Sequence, residues 1–130
     1  MGYAVNWLYP PRLVLIQYLD KVIRDDILNQ TETLAQVLDE GGQAPVHLIV
    51  DLSGVSEIGL GLSDLKSVAT KAHDSVGWMG VIAPNPIFRF FASIGIQISR
   101  GKYRVFATRE EALKFLIEQD PTLRKVIPES

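Results

Sequence analysis

Apolar residues recur in two rhythms along this 130-residue chain. Near the start the period is two: Val14, Ile16 and Tyr18 alternate with Leu13, Leu15 and Gln17, as in a strand. Residues Tyr3 to Tyr9 and Leu13 to Leu19 are both extended apolar stretches, split by Pro10 and Pro11. Proline fixes its own dihedral and donates no amide hydrogen, so the pair places a turn there and predicts an opening β-hairpin. The period then lengthens to that of a helix. Ile27, Leu28, Thr31, Leu34, Ala35 and Leu38 share one face, with Asn29, Glu32, Gln36 and Asp39 largely opposite. Gly41 and Gly42 end this helix, since glycine accepts the left-handed conformation common at helix termini.

Val46 to Leu52 is apolar apart from His47 and Asp51, the pattern of a central parallel strand covered on both faces. A Ser/Gly turn follows, and Gly59 and Gly61 lead into a helix carrying Leu62, Leu65, Val68, Ala69 and Ala72 at helical spacing. Val76 to Ala83 is the next predicted strand. Pro86 suits the first turn of another helix, which offers Ile87, Phe90, Phe91 and Ile94 on one face. Tyr103 to Ala107 is a short strand, and Thr108 with Glu111 forms a capping-box signal for a last helix burying Ala112, Phe115 and Leu116. The order β-β-α-β-α-β-α-β-α predicts an α/β fold, with a mixed, mostly parallel sheet, an opening β-hairpin and flanking helices. Residues 1–120 read as a single domain and 121–130 as a loosely held C-terminal tail.

A net charge of -2 removes any generic attraction to nucleic acid or to an anionic membrane, and Arg100, Lys102 and Arg104 form the one small basic cluster. The absence of cysteine excludes disulfides, a thiolate nucleophile and a cysteine-ligated metal. No apolar run approaches the roughly 20 residues that span a bilayer. The first residues lack the basic region and apolar stretch of a secretory signal. A soluble, cytoplasmic protein is expected, with no membrane insertion.

Loops at the carboxyl ends of parallel strands are where α/β folds usually bind. Asp51 stands there, able to hold a ligand or to accept bonds from loop amides, the commoner role. Neither His47 nor His73 has a partner at metal-ligand spacing, so no metal and no cofactor is expected. No serine occupies a nucleophile-elbow pattern, and an acid/base pair of Asp51 and His73 rests on two lone groups. The expectation is therefore of no enzyme. Gly59-Leu60-Gly61 lacks the lysine of a P-loop and the third glycine of a dinucleotide fingerprint. Its free amides could attract an anion, though such glycines more often permit a tight turn. The apolar stretch Phe88, Phe90, Phe91, Ile94, Ile96 and Ile98 either packs on the core or, with Trp78, lines an apolar pocket.

Two segments carry a family resemblance: DLSGVSEI at Asp51 to Ile58, and VFATREEALKFL at Val105 to Leu116. In this order and spacing the chain resembles the STAS family, named for sulphate transporters and antagonists of anti-sigma factors, from about Leu13 to Leu116. The resemblance implies a non-enzymatic regulatory module that binds a protein partner through Asp51, Ser53, Ser56, Gly59, Leu60, Gly61, Leu62, Ser63 and Asp64. Leu60, Leu62 and Asp64 are the expected contact residues. The implied partner is a kinase-type anti-sigma factor, another signalling protein, or a second copy of the chain. Bacterial antagonists of the family carry an Asp-Ser-Ser-Gly-Leu-Gly stretch whose second serine is phosphorylated. Residue by residue that stretch falls on Gly59, Leu60, Gly61, Leu62, Ser63 and Asp64, so the acceptor position is Gly61, without a hydroxyl. Ser56 and Ser63 lie out of register. A related branch with the same fold implies an alternative, a carrier or sensor of a small apolar or lipid-like ligand, with Trp78, Phe88, Phe91 and Ile94 as its pocket.

Overall fold

The computed structural model describes residues 2–61, 63–64, 75–86, 89 and 102–128. Strands β1 (Tyr3–Tyr9), β2 (Leu13–Val22), β3 (Val46–Ile58), β4 (Val76–Ile82) and β5 (Lys102–Phe106) form one sheet in the order β1-β2-β3-β4-β5. β1 runs antiparallel to β2, and every other pairing is parallel. The predicted hairpin and mostly parallel sheet are both present. Helices α1 (Arg24–Gly41) and α2 (Arg109–Gln119) accompany it, followed by a 3-10 turn at Pro121–Lys125. The helices expected around Leu65 to Ala72 and Ile87 to Ile94 fall largely outside the described residues, although residues 63, 64, 86 and 89 are helical.

The period of two in β2 works as a divider. Val14, Ile16 and Tyr18 pack with Leu34 and Leu38 of α1, together with Val46 and Leu48. Leu13 and Leu15 point the other way, joining Ile49, Ile82 and the α2 residues Ala112 and Leu116. A strand covered on both faces has no polar side, hence the unbroken LVLI at its start. Gly80 lets α2 sit close, since a Cβ there would stand 3.2 Å from that of Ala112.

Several local details differ from the sequence pattern. β3 does not turn at Ser53; it continues to Ile58, paired with β2 as far as Val22↔Ile58. Val55 stays buried beside Val22 in the first core, which keeps the chain extended through residues that otherwise favour turns. Irregularities in the register absorb the extra length, and at one of them Asp20 adopts φ 58°, a left-handed conformation that aspartate tolerates better than most residues. In α1 the buried position is Gln30, not Leu28. Gln30 accepts a 2.7 Å bond from the buried Tyr18 hydroxyl, whose pKa burial raises first, with Asp26 and Tyr3 adding to the effect. Gly42 follows α1 at φ -81°, so it is not left-handed; a Cβ there would press on Leu38 O at 2.9 Å and on Val46 at 3.1 Å. Close packing, not chirality, selects glycine at that position. Half of the expected capping box at α2 forms: Thr108 accepts from the Glu111 amide, while its hydroxyl donates to the Glu111 carboxylate.

The C-terminal segment is the largest departure. Leu123 is fully buried and Ile127 nearly so, both inside the second core and not in a loose tail. Asp120 fastens this segment to the amino end of the sheet. Its carboxylate lies 2.6 Å from Arg12 Nη2 and 2.9 Å from His47 Nε2, and it caps the 3-10 turn through the Thr122 amide and hydroxyl. Burial alone would raise the Asp120 pKa, but the bonds from His47 and Thr122 and the charge of Arg12 override it and hold the pKa at about 2.

Two outcomes follow for stability. Leu123→Ala removes a buried side chain from the second core and should cost about 2–5 kcal/mol in urea unfolding, whereas a loose tail would tolerate it. Because the folded pKa of Asp120 lies below its ordinary 3.8, its contribution is complete above about pH 4 and is lost as pH falls towards 2. Asp120→Asn should therefore lose about 2 kcal/mol at neutral pH and flatten the acid limb of the stability profile, measured by urea titration at successive pH values.

Candidate functional site

All four parallel strands point their carboxyl ends to one side. The crossovers from β2 to β5 advance in a single direction, so these strands include no topological switch point, where a crevice would open between strand ends. What the sheet presents is the overhang of β3. β4 accompanies β3 only to Asp51↔Ile82, and beyond that, among the described strands, β3 pairs with β2 alone.

Asp51 marks the start of this overhang. It is buried on the α2 side, where its Oδ1 accepts from the Ser53 amide at 2.9 Å and from the Ser53 hydroxyl. Its Oδ2 lies 3.5 Å from Arg109 Nη2, at the first position of α2. Both carboxylate oxygens are thus engaged in holding the chain's own backbone and helix. This is the local capping role, achieved inside a strand instead of a turn.

From there the surface is polar and exposed. Ser53, Gly54, Ser56 and Glu57 face solvent, while Val55 and Leu60 anchor the segment to the first core. Gly59 donates its amide to Val22 O at 2.8 Å, and a Cβ there would meet Lys21 Cε at 2.7 Å. Gly61 is different: among the described residues a Cβ would meet only Asp64 Oδ2, at 3.8 Å. Asp64 Oδ2 also accepts the Gly61 amide at 3.0 Å, closing the loop at the start of a helix. Ser63 is exposed and Asp64 half-buried. Leu62 lies outside the described residues. Of the three expected contact residues, Leu60 is thus partly spent on the core, and Asp64 on shaping the loop.

A shallow depression of about 450 Å³ adjoins the overhang, lined by Leu52, Ser53, Val55, Pro84, Asn85 and Pro86. Arg89 braces its far side by donating to Ala83 O at 2.6 Å. None of these lining residues was singled out as a pocket by the sequence, apart from Ser53 as a loop contact; the Pro-Asn-Pro run was the available signal. Trp78 is elsewhere, packed edge-to-face on Phe115 with centroids 5.2 Å apart and with Lys102 Nζ 5.8 Å from its ring. Phe88, Phe91, Ile94 and His73 lie outside the described residues, so an Asp51–His73 pair has only one described member. Among the described residues no group of three or more His, Asp or Glu side chains could hold a metal ion, and no helix is long and apolar enough to cross a membrane.

No protein-family model and no curated protein matches the chain. Solved structures do. An uncharacterised protein of the DUF3478 family with a SpoIIAA-like fold, from Shewanella loihica PV-4, aligns with a TM-score of 0.61 at 13% identity, over 88% of this chain and 91% of that one. The anti-sigma factor antagonist SpoIIAA in its unphosphorylated form gives 0.55 at 14%, over 89% and 96%. An anti-sigma factor antagonist from Mycobacterium paratuberculosis gives 0.54 at 16%, over 87% and 91%. Near-complete coverage in both directions means that the alignment extends well beyond a shared strand–helix unit. The chain has a SpoIIAA-like, STAS-type fold.

Proposed function

We propose that this chain is a non-enzymatic regulatory module that docks a protein partner on the Ser53–Asp64 loop. The observation that carries this reading is the construction of the loop: an exposed polar segment, pinned at Asp51, Val55, Gly59 and Leu60, with an exposed Gly61 beyond it. A pinned segment loses little conformational freedom on binding, which favours recognition by surface contact. The absence of a switch point among the parallel strands argues in the same direction, since a flat strand-end surface suits a protein better than a small substrate.

Two of the fold neighbours are anti-sigma factor antagonists. A kinase-type anti-sigma factor or another signalling protein is accordingly the partner class we favour, with self-association as the remaining possibility. Gly61 offers no hydroxyl, so binding at this loop is constitutive unless the exposed Ser56 or Ser63 receives phosphate. The carrier reading draws less support: Trp78 is engaged by Phe115, and the depression beside β3 is open and partly polar.

Gly61→Phe should leave the fold intact, because among the described residues a Cβ there meets only ordinary contact with Asp64, and should weaken partner binding by roughly tenfold or more. The check is a pull-down with the tagged wild type, with and without ATP, followed by titration of whatever is retained against both proteins. Equal affinity for the two would move the interface off this loop. Asp51 provides an independent test of how the loop is held. Asp51→Asn keeps an acceptor for the Ser53 amide and should cost under about 1 kcal/mol. Asp51→Ala strands that amide and should cost about 1–3 kcal/mol in denaturant unfolding.

A further inference from the structure

At the opposite end of the sheet β4 carries a bulge. Val46 pairs with Val76 and Leu48 with Met79, so the single residue His47 faces two residues, Gly77 and Trp78. An extra residue of this kind interrupts the ladder and leaves a backbone group to be satisfied in another way. Here the Trp78 amide donates to His47 Nδ1 at 2.9 Å. The imidazole takes the place of a backbone acceptor.

The other ring nitrogen fixes the proton count. His47 Nε2 lies 2.9 Å from Asp120 Oδ2, an oxygen also held at 2.6 Å by Arg12 Nη2. A carboxylate paired with a guanidinium is an acceptor only, so Nε2 carries the hydrogen. A backbone amide can only donate, so Nδ1 carries none. The ring is therefore neutral, with both nitrogens committed, and it is 2% exposed.

The ring also sits close against the bulge. A Cβ on Gly77 would stand 2.6 Å from His47 Cε1 and 2.7 Å from Nδ1. The imidazole thus lies directly on the bulged backbone, in space that any side chain at residue 77 would need. Were the ring to gain a second proton, Nδ1–H would oppose the Trp78 N–H, while the bond to Asp120 would become an ion pair and strengthen. The charges that face the ring are mixed. Asp120, following α2, favours the charged form; Arg12, from the β1–β2 turn, opposes it. α1 packs on the other face of the sheet.

We propose that His47 makes the start of β4 a proton-sensitive joint: the neutral ring closes the bulge at Gly77–Trp78, and the charged ring releases it while keeping hold of Asp120. The part that moves is β4 and not the C-terminal segment, because protonation weakens one bond of the ring and reinforces the other. Histidine is the side chain whose ordinary titration spans the physiological range, which is what a joint of this kind requires.

The test follows the ring and the amide in the same full-length protein. NMR shifts of the His47 ring report its charge between pH 8 and 4, and hydrogen exchange, corrected for the intrinsic rate at each pH, reports protection of the Trp78 amide. Protection should fall roughly tenfold as the ring charges, the loss of about one hydrogen bond, while the Leu48 and Ile49 amides stay unchanged. In His47→Gln, which can still donate to Asp120 but cannot be charged, the corrected Trp78 protection should be independent of pH. Three results would overturn the joint: a ring that stays neutral to pH 4, a ring that charges without loss of Trp78 protection, or the same loss in His47→Gln. The wild-type comparison stands by itself if that variant does not fold.

Discussion

Helix α2 is tied to β3 at both ends, and much of the molecule follows from that. The helix is 11 residues long, about 16 Å at 1.5 Å per residue. His47 and Asp51 are four residues apart on one face of β3, about 13 Å at the rise of a strand. Arg109 opens α2 beside Asp51, and Asp120, which follows its last turn, meets His47. The helix consequently lies antiparallel to β3, with Ala112, Leu116 and Ile49 packed in the same core between the two polar ties. Apolar packing supplies most of the stabilisation, since it removes whole side chains from water, but it fixes position only loosely along a strand. Together with that packing, the bond between Asp120 and His47 sets the helix's place along the sheet, with Arg109 beside Asp51 at its other end.

That placement explains why buried polar groups are tolerated in so small a domain. His47, Asp51 and Gln30 are the buried polar or charged residues described, and each is bonded: His47 to Asp120 and the Trp78 amide, Asp51 to Ser53, Gln30 to the Tyr18 hydroxyl. Burying any of them without a partner would cost several kcal/mol. Among the described residues no buried side-chain nitrogen or oxygen lacks a partner. The two ties also differ in strength. Asp120 is held by Arg12, His47 and Thr122 at short range, whereas Arg109 stands 3.5 Å from Asp51 and is 42% exposed, where solvent screening leaves little net attraction. The tie at the amino end of the sheet is therefore the stronger of the two.

The order and type of the described elements were legible because they depend on periodicity, which one sequence displays. Val14, Ile16 and Tyr18 against Leu13 and Leu15 announce a strand, and β2 is one; that both its faces are buried shows only in the structure. What could not be read depended on contacts distant in sequence. Ser53, Gly54 and Ser56 suggest a turn by composition, yet Val55 and Val22 hold the segment extended because the neighbouring strand is there to receive it. Leu123 and Ile127 follow Pro121 in a short polar stretch, and only packing with Ala112 and Leu116 of α2 makes them core residues. The candidate loop was visible as a segment, through DLSGVSEI, but the division of its residues into anchors and exposed positions was not. Asp120 escaped notice altogether: its partners Arg12 and His47 lie 108 and 73 positions away. Nothing in the sequence signals the part His47 plays for the same reason, since the bulge that employs it exists only once β3 and β4 are paired.

The two ends of the sheet thus differ in how they hold charge. At the carboxyl end, Gly61 leaves no group to modify at the position where the family resemblance places an acceptor, yet that position is not electrically empty. The Asp64 carboxylate lies 3.8 Å from where a Cβ of residue 61 would stand, kept there by the Gly61 amide at a helix start that favours negative charge. A phosphate would add its charge reversibly; a carboxylate in the chain adds a smaller one permanently. The charge beside residue 61 is therefore carried by the chain itself, and a partner that reads this position meets it without any modification there. At the amino end the reverse holds. There the network of Arg12, Asp120 and His47 contains a ring whose single proton decides whether a strand is closed. If the module is regulated from within, that ring, and not the loop, is where its structure can respond.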